Sequence, residues 1–346
     1  MKPRFFYFLL RAMKVAAGLS VLASSAWGQG ANVPHAGGVP DPNPTLVLKQ
    51  FEPGQPMRLV AYGDMRFTDP SVTTGTNPRV RRWLAEKIGA ENPQALMVTG
   101  DMPYTGSKQS DWEWYRKETA SWKAAGFPVF PTMGNHEIYD NQEQGEANYL
   151  KNYPDLKGHL YYSALLGSVE ILSLDMARTA APRSEQGRWF AAQLEHIPPQ
   201  VEFLFILYHI PWVADTQSQL VASLPSKAAL QLRGVLESHL PKMHAKVVVL
   251  SGHIHNYERF EVRGVEYVVT GGGGAIPYPI LFRGVHDLYK DPGFPVYHYL
   301  TLEVKDHQLK AVMWKVIDPD AAALNVEVKD TFTINANPPT PTAKKP

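Results

Sequence analysis

Five short stretches of this chain carry side chains able to hold cations or move protons: Gly63-Asp64, Gly100-Asp101-Met102-Pro103-Tyr104, Gly134-Asn135-His136-Glu137, Tyr208-His209-Ile210-Pro211 and Gly252-His253-Ile254-His255. Each alone has an ordinary explanation. An aspartate after a strand serves as a turn or cap residue, Asn135 as an Asx turn, His209 as a satisfied loop histidine, and Tyr104 as a packed aromatic with its hydroxyl on the backbone. Together they share a chemistry. Two hard or borderline cations a few ångström apart need oxygen and imidazole ligands, and at least one carboxylate that bridges them. Asp64, Asp101, Tyr104, Asn135, His209, His253 and His255 supply that set. In Gly-His-Ile-His the two imidazoles leave one loop from neighbouring positions, so each can serve a different ion, and Gly252 is assigned the role of allowing a tight turn.

The stretches sit where such groups collect. Each follows an apolar run, among them "RLVAY", "ALMV", "EFLFIL" and "KVVVL", as expected of strands buried on both faces. In open α/β sheets, functional side chains gather past the carboxyl ends of strands. Between the runs lie amphipathic stretches. Asn77 and Pro78 form an N-cap and first-turn pair, and Val80, Trp83, Leu84 and Ile88 then recur at helical spacing. Further helices are predicted over 110–125, ending at Gly126, over 184–196, ending before Pro198, and over 227–240, ending at Pro241. Trp112, Tyr115, Thr119 and Trp122 fall near helical spacing, which favours core packing over a sugar or base platform. The last part, "VYHYLTLEVKDHQLKAVMWKVID", alternates apolar and polar residues around a polar turn and predicts a hairpin closing the sheet. The pattern is that of a layered α/β domain. "TGGGGA" at Thr270 to Ala275 lacks the Gly-Lys-Ser/Thr of a nucleotide loop, so its expected role is to let backbone pass close to the metal centre.

Composition narrows the partners. With 34 basic and 33 acidic residues there is no electrostatic footprint for nucleic acid or an anionic membrane face, so recognition must come from a local site, for which a small molecule is the expected partner. Cysteine is absent, so any metal site uses nitrogen and oxygen ligands. Lys2, Arg4, Arg11 and Lys14 precede "VAAGLSVLASSA" and small residues, the pattern of a cleaved signal peptide and hence of a periplasmic or secreted protein with no membrane span after signal removal. The expected organisation is a signal peptide over 1–28, an extended segment over 29–50, one domain over 51–335 and a Pro-rich tail over 336–346.

The order GD, GDxxY, GNHE, HxP, GHxH resembles the calcineurin-like metallophosphoesterase superfamily over most of the chain, from about Leu59 to Gly274. The tyrosine three after the second aspartate, "GHIHNYER" from Gly252 to Arg259 and "HIPW" from His209 to Trp212 resemble the purple acid phosphatase branch. The resemblance implies a four-layer α/β/β/α sandwich with a central pair of mixed β-sheets. It implies that Asp64, Asp101, Tyr104 and His255 hold ferric iron, that Asp101 bridges, and that Asn135, His209 and His253 hold a divalent iron, zinc or manganese ion. It also implies phosphomonoester hydrolysis by attack of a metal-bound hydroxide, with His136 orienting substrate or protonating the leaving alkoxide.

Two features depart from the branch. Arg66 stands where the branch commonly has glycine and the wider superfamily often a ligating histidine; it either reaches the substrate phosphate or pairs with a carboxylate. No histidine pair follows Trp212 in "VADTQSQ", which leaves His136 as the histidine acid. A phosphodiesterase or nucleotide-cleaving hydrolase of the same superfamily is the alternative, since the ligands serve both. A binding protein on a retired hydrolase scaffold would have been free to lose ligands that are all present here.

Overall fold

The computed structural model describes residues 46–47, 55–214, 225–280 and 283–337. The expected signal peptide, most of the extended segment, the tail beyond residue 337 and the part of the "VADTQSQ" stretch after Ala214 lie outside these residues.

The apolar runs form strands of two mixed sheets. One has six strands: β2 (Met57–Tyr62), β3 (Ala95–Val98) and β4 (Val129–Pro131) are parallel, and β11 (His298–Lys305), β12 (Gln308–Val316) and β13 (Val326–Asn335) continue the sheet antiparallel from β2. The other has seven, in the order β1 (Leu46–Val47), β5 (Tyr162–Leu166), β6 (Val169–Ser173), β7 (Phe203–Leu207), β8 (Lys246–Ser251), β10 (Val265–Thr270) and β9 (Tyr257–Val262). Within it β6, β7, β8 and β10 run parallel. The expected hairpin is β11 and β12, and it does close a sheet by pairing β11 with β2. Its turn residues Asp306 and His307 both take positive φ (50° and 61°), the conformation that matches a tight two-residue turn to strand twist.

Ile171, Phe205 and Val248 of the seven-stranded sheet share one buried cluster with Leu59, Met97 and Leu300 of the six-stranded sheet. Helices cover the pair. Trp189, Phe190, Leu232 and Leu236 of α5 (Glu185–Glu195) and α6 (Lys227–His239) bury against Leu172, Leu204 and Val249. Val80, Leu84 and Ile88 of α1 (Pro78–Glu91) and Trp112 and Trp122 of α2 (Gln109–Glu118) and α3 (Ala120–Ala125) join the first cluster. This is the expected helix, sheet, sheet, helix order.

The caps explain most helix starts. Asn77 accepts from the Val80 N–H at 3.1 Å with Pro78 following, and Ser184 and Ser226 cap α5 and α6 in the same way. The single helix expected over 110–125 is instead two, broken at Thr119. The Thr119 hydroxyl donates to the Tyr115 carbonyl at 2.7 Å, a back-bond that competes with the helix ladder. Another helix, α4 (Gln142–Asn152), opens at the Asn141 cap and was not expected from its largely polar sequence.

Candidate metal centre

Both sheets contribute to one cluster. Asp64, Asp101 and Asn135 follow β2, β3 and β4, whereas His209 follows β7 and His253 and His255 follow β8. Backbone bonds lock the loops: the Asp64 N–H donates to the Gly100 carbonyl and the Arg66 N–H to the Asp101 carbonyl, both at 2.9 Å. Glu137, fully buried, accepts the N–H groups of Asp101 (3.0 Å), Met102 (2.7 Å) and Gly134 (2.6 Å), so one carboxyl holds the second and third loops together. Burial and the adjacent Asp101 push its pKa up to about 8.

Four site residues sit in the left-handed backbone region: Asp64 (φ 61°), Arg66 (54°), Asp101 (56°) and His253 (68°). Such conformations cost of order 1–3 kcal/mol each and persist only when the surroundings hold them. The tight turn is therefore made at His253, and Gly252 serves a different purpose from the one expected. A Cβ on Gly252 would strike Asp64 Oδ2, so the glycine is needed for close approach. The glycine run at 271–274 also lets backbone come near, as expected: the Gly273 and Ala275 N–H groups donate to the Gly63 and Asp64 carbonyls, each at 2.8 Å.

Ligand atoms of Asp64, Asp101 and His209 all lie within 4.8 Å of one another. His209 Nε2 is 3.3 Å from Asp101 Oδ1 and 3.1 Å from Asn135 Oδ1. His253 Nδ1 is 2.8 Å from the same amide oxygen and 3.2 Å from His209 Nε2. His209 and His255 each have Nδ1 on a backbone carbonyl, Thr99 and Ile276 respectively, both at 2.8 Å. A carbonyl only accepts, so Nδ1 carries the proton and Nε2 presents a lone pair.

That tautomer tests whether the residues fit a metal. His255 Nε2 is buried without a hydrogen-bond partner and faces Asp64 Oδ1 at 3.5 Å, a lone pair against a carboxylate. Burial and the Asp101 charge push the Asp64 carboxyl well above its usual range. Asp101 is held well below it, against burial, by His209, His136 and Arg66. Burial, with Arg66 beside it, sets His255 well below the usual imidazole range; burial and His209 take His253 down to about 3; and burial lowers His209. Neutral imidazoles aimed at paired buried carboxylates are the donor set a cation requires, and the residues fit one.

The remaining candidates are placed differently. Arg66 Nη2 lies 3.4 Å from Asp101 Oδ2, and its Nε–H is buried without a partner. His136 donates Nδ1–H to the Tyr104 carbonyl at 2.5 Å, its Nε2 is 3.9 Å from Asp101 Oδ2, and its backbone N–H donates to Asp101 Oδ1 at 2.9 Å. The Tyr104 hydroxyl is engaged elsewhere, donating to the Thr74 carbonyl at 3.1 Å.

Several supporting residues escape a reading by motif. Tyr278 stacks on His255 with ring centroids 4.1 Å apart. Arg81, fully buried in α1, forms a two-pronged pair with Glu118 (2.8 and 2.6 Å) and donates to the Arg66 and Thr68 carbonyls, holding the first loop. The "YER" after the histidines is architectural: Tyr257 and Arg259 both donate to Asp330 of β13, at 2.9 and 2.7 Å.

Among the described residues no helix is long and apolar enough to cross a membrane. The sequence model of the calcineurin-like phosphoesterase family matches residues 57–257, more than half of the chain. Purple acid phosphatase 21 of Arabidopsis thaliana is 25% identical over 239 residues, 63% of this chain and 50% of that protein. A probable cyclic nucleotide phosphodiesterase of Vesicomyosocius okutanii is 21% identical over 220 residues, 61% of this chain and 83% of that protein. The structure of a purple acid phosphatase from yellow lupin seeds superposes with a TM-score of 0.66 at 18% identity, covering 82% of this chain and 54% of that one, which is a likeness of fold. The chain spans about half the length of the curated purple acid phosphatases named first among its relatives.

Proposed function

We propose, from the premise that the chain belongs to the calcineurin-like phosphoesterase family, that it is an exported dinuclear-metal phosphatase hydrolysing phosphomonoesters in the manner of purple acid phosphatases. The observation that carries this reading is the buried Nε2 lone pair of His255 facing Asp64, beside an equally buried Asp101 shared with His209. Export rests on the signal pattern of residues 1–28.

Asp64, Asp101, Tyr104 and His255 would hold one ion, and Asn135, His209 and His253 the other, with Asp101 common to both. When bound, such cations supply an acidified water and positive charge for phosphoryl oxygens. The protein's own groups do the rest. Arg66, braced by Asp101 and hydrogen-bonded to Tyr278, brings a guanidinium charge toward a phosphoryl oxygen. The Tyr104 carbonyl fixes the His136 ring, so Nε2 is the atom turned toward the departing alkoxide; it passes a proton only from the doubly protonated ring, a form that burial disfavours, and otherwise accepts a hydrogen bond that orients the substrate. Glu137 and Arg81 position loops and touch no substrate.

A second reading, a phosphodiesterase, is favoured by the relative from V. okutanii, whose length the chain matches more fully. Comparing an aryl monoester with an aryl diester on the protein purified from Gln29 onward separates the two. Metal content and the visible spectrum, repeated on Tyr104→Phe, test the ligand set. Two metals with one iron and a charge-transfer band lost in the variant support it. Two colourless divalent ions and an unchanged variant would overturn the ferric tyrosinate and move the diesterase forward. Tyr104 is the sharpest probe, because it must leave the Thr74 carbonyl to ligate.

A further inference from the structure

We infer that Tyr139 is a specificity-determining residue that receives a flat aromatic leaving group, so that phenolic phosphate esters are the preferred substrates; this rests on the phosphomonoesterase reading of the centre. The Tyr139 ring lies nearly parallel to His136, with centroids 5.6 Å apart and an interplanar angle of 18°. Tyr104 stands edge-on to the same imidazole at 5.7 Å. With Nδ1 held by the Tyr104 carbonyl, only the Nε2 end of His136 faces the cluster, 3.9 Å from Asp101 Oδ2. A leaving-group oxygen that meets Nε2 sits at the edge of the imidazole on which Tyr139 is stacked, so the group it carries can extend over the Tyr139 ring.

Tyr139 is 56% exposed, so its ring is open to a second aromatic group beyond its contact with His136. Its loop is fixed at both ends, by Glu137 on three backbone N–H groups and by Asn141, which caps α4. The ring is thus presented on a rigid support, the arrangement in which stacking is gained without ordering a loop. Across the cluster, the residue whose carbonyl holds His255 is Ile276, itself 40% exposed. Apolar side chains on the loops that support both His136 and His255 favour a ring over a short hydroxylated alkyl group.

The test uses the metal-loaded chain with wild-type, Tyr139→Ala and Tyr139→Phe proteins. First, kcat/KM is measured on phenyl phosphate and on glycerol 2-phosphate. Tyr139→Ala is expected to lower the value for the aryl ester roughly two- to tenfold more than that for the alkyl ester, with Tyr139→Phe restoring the difference. Second, affinities for phenylphosphonate and methylphosphonate are measured by calorimetry, which needs no turnover. The wild type should prefer the phenyl compound and Tyr139→Ala should lose that preference. Equal losses on both esters would mean that Tyr139 acts only through the placement of His136, and would overturn the inference. So would a phenyl preference unchanged in Tyr139→Ala, or no phenyl preference in the wild type. A phenylphosphonate preference lost in Tyr139→Ala, in a protein that turns over no monoester, would support the role of Tyr139 while removing the phosphomonoesterase reading.

Discussion

His209 Nε2 and His253 Nδ1 lie 3.2 Å apart, with Asn135 Oδ1 within 3.1 Å of each. Three electron-rich atoms from two sheets converge where one hydrogen atom at most can mediate between them, and a cation resolves that crowding better than any proton.

Metal should therefore stabilise the fold. At a hundredfold excess over its dissociation constant, a ligand bound only by the folded state adds about 2.7 kcal/mol, which for a domain of this size corresponds to roughly 4–5 °C in Tm. Calorimetry of the chelator-stripped chain with and without added zinc or manganese should show that rise, and Asn135→Ala should reduce it. A Tm indifferent to stripping would sink the dinuclear reading.

Glu137→Gln should weaken metal affinity or turnover by about 10–100-fold, the range for groups that orient ligands without touching the ion. The amide keeps the shape of the carboxyl but has one accepting oxygen, whereas the N–H groups of Asp101, Met102 and Gly134 need two. Competition titration against a chromophoric chelator reads the affinity directly, and an unchanged affinity would show that the three bonds serve folding alone.

Glu118→Ala should destabilise the protein by about 3–5 kcal/mol, because it strands the buried guanidinium of Arg81. Replacing both residues, as Arg81→Met with Glu118→Leu, should recover much of that loss in urea unfolding while leaving the Arg66 and Thr68 carbonyls without their donor. A single-variant loss below about 1 kcal/mol would contradict a dry pair.

Glu170 of β6 makes stability depend on pH. It is buried, its Oε2 has no partner, and burial raises its pKa from 4.5 to about 7. Below about pH 4.5 both folded and unfolded chains hold the proton, and the group is neutral in its effect. From there to about pH 7 the unfolded chain ionises first, so the folded state loses about 3 kcal/mol over that window and nothing further above it. Relative to wild type, Glu170→Gln should thus be more stable at pH 8 than at pH 4.5 by about that amount. Equal differences in urea midpoint at the two pH values would refute this.

The ligand-bearing loops are legible in sequence because cation binding restricts residue type and each loop follows an apolar run. What the sequence hides is convergence between loops. Glu137 reads as part of a short motif, and nothing local announces that its carboxyl meets backbone from a loop 35 residues earlier. Arg81 follows Val80 on a helix where charge ordinarily faces water, yet it is fully buried. The α4 segment buries only Gly145, Asn148 and Tyr149, too few apolar positions to show a helical period. At Gly252 the sequence suggests the common use of glycine, a turn, whereas the structure shows the rarer one, room for a neighbour's carboxylate.

The division of the site between sheets has a kinetic meaning. The carboxylates and the amide hang from β2, β3 and β4, and the imidazoles from β7 and β8. Ions held there would act as rivets through the seam between the two sheets. Neither sheet alone carries the full set of candidate ligands, so metal retention would depend on the two staying packed together. The rate of metal exchange would then be a clock for how often the seam opens.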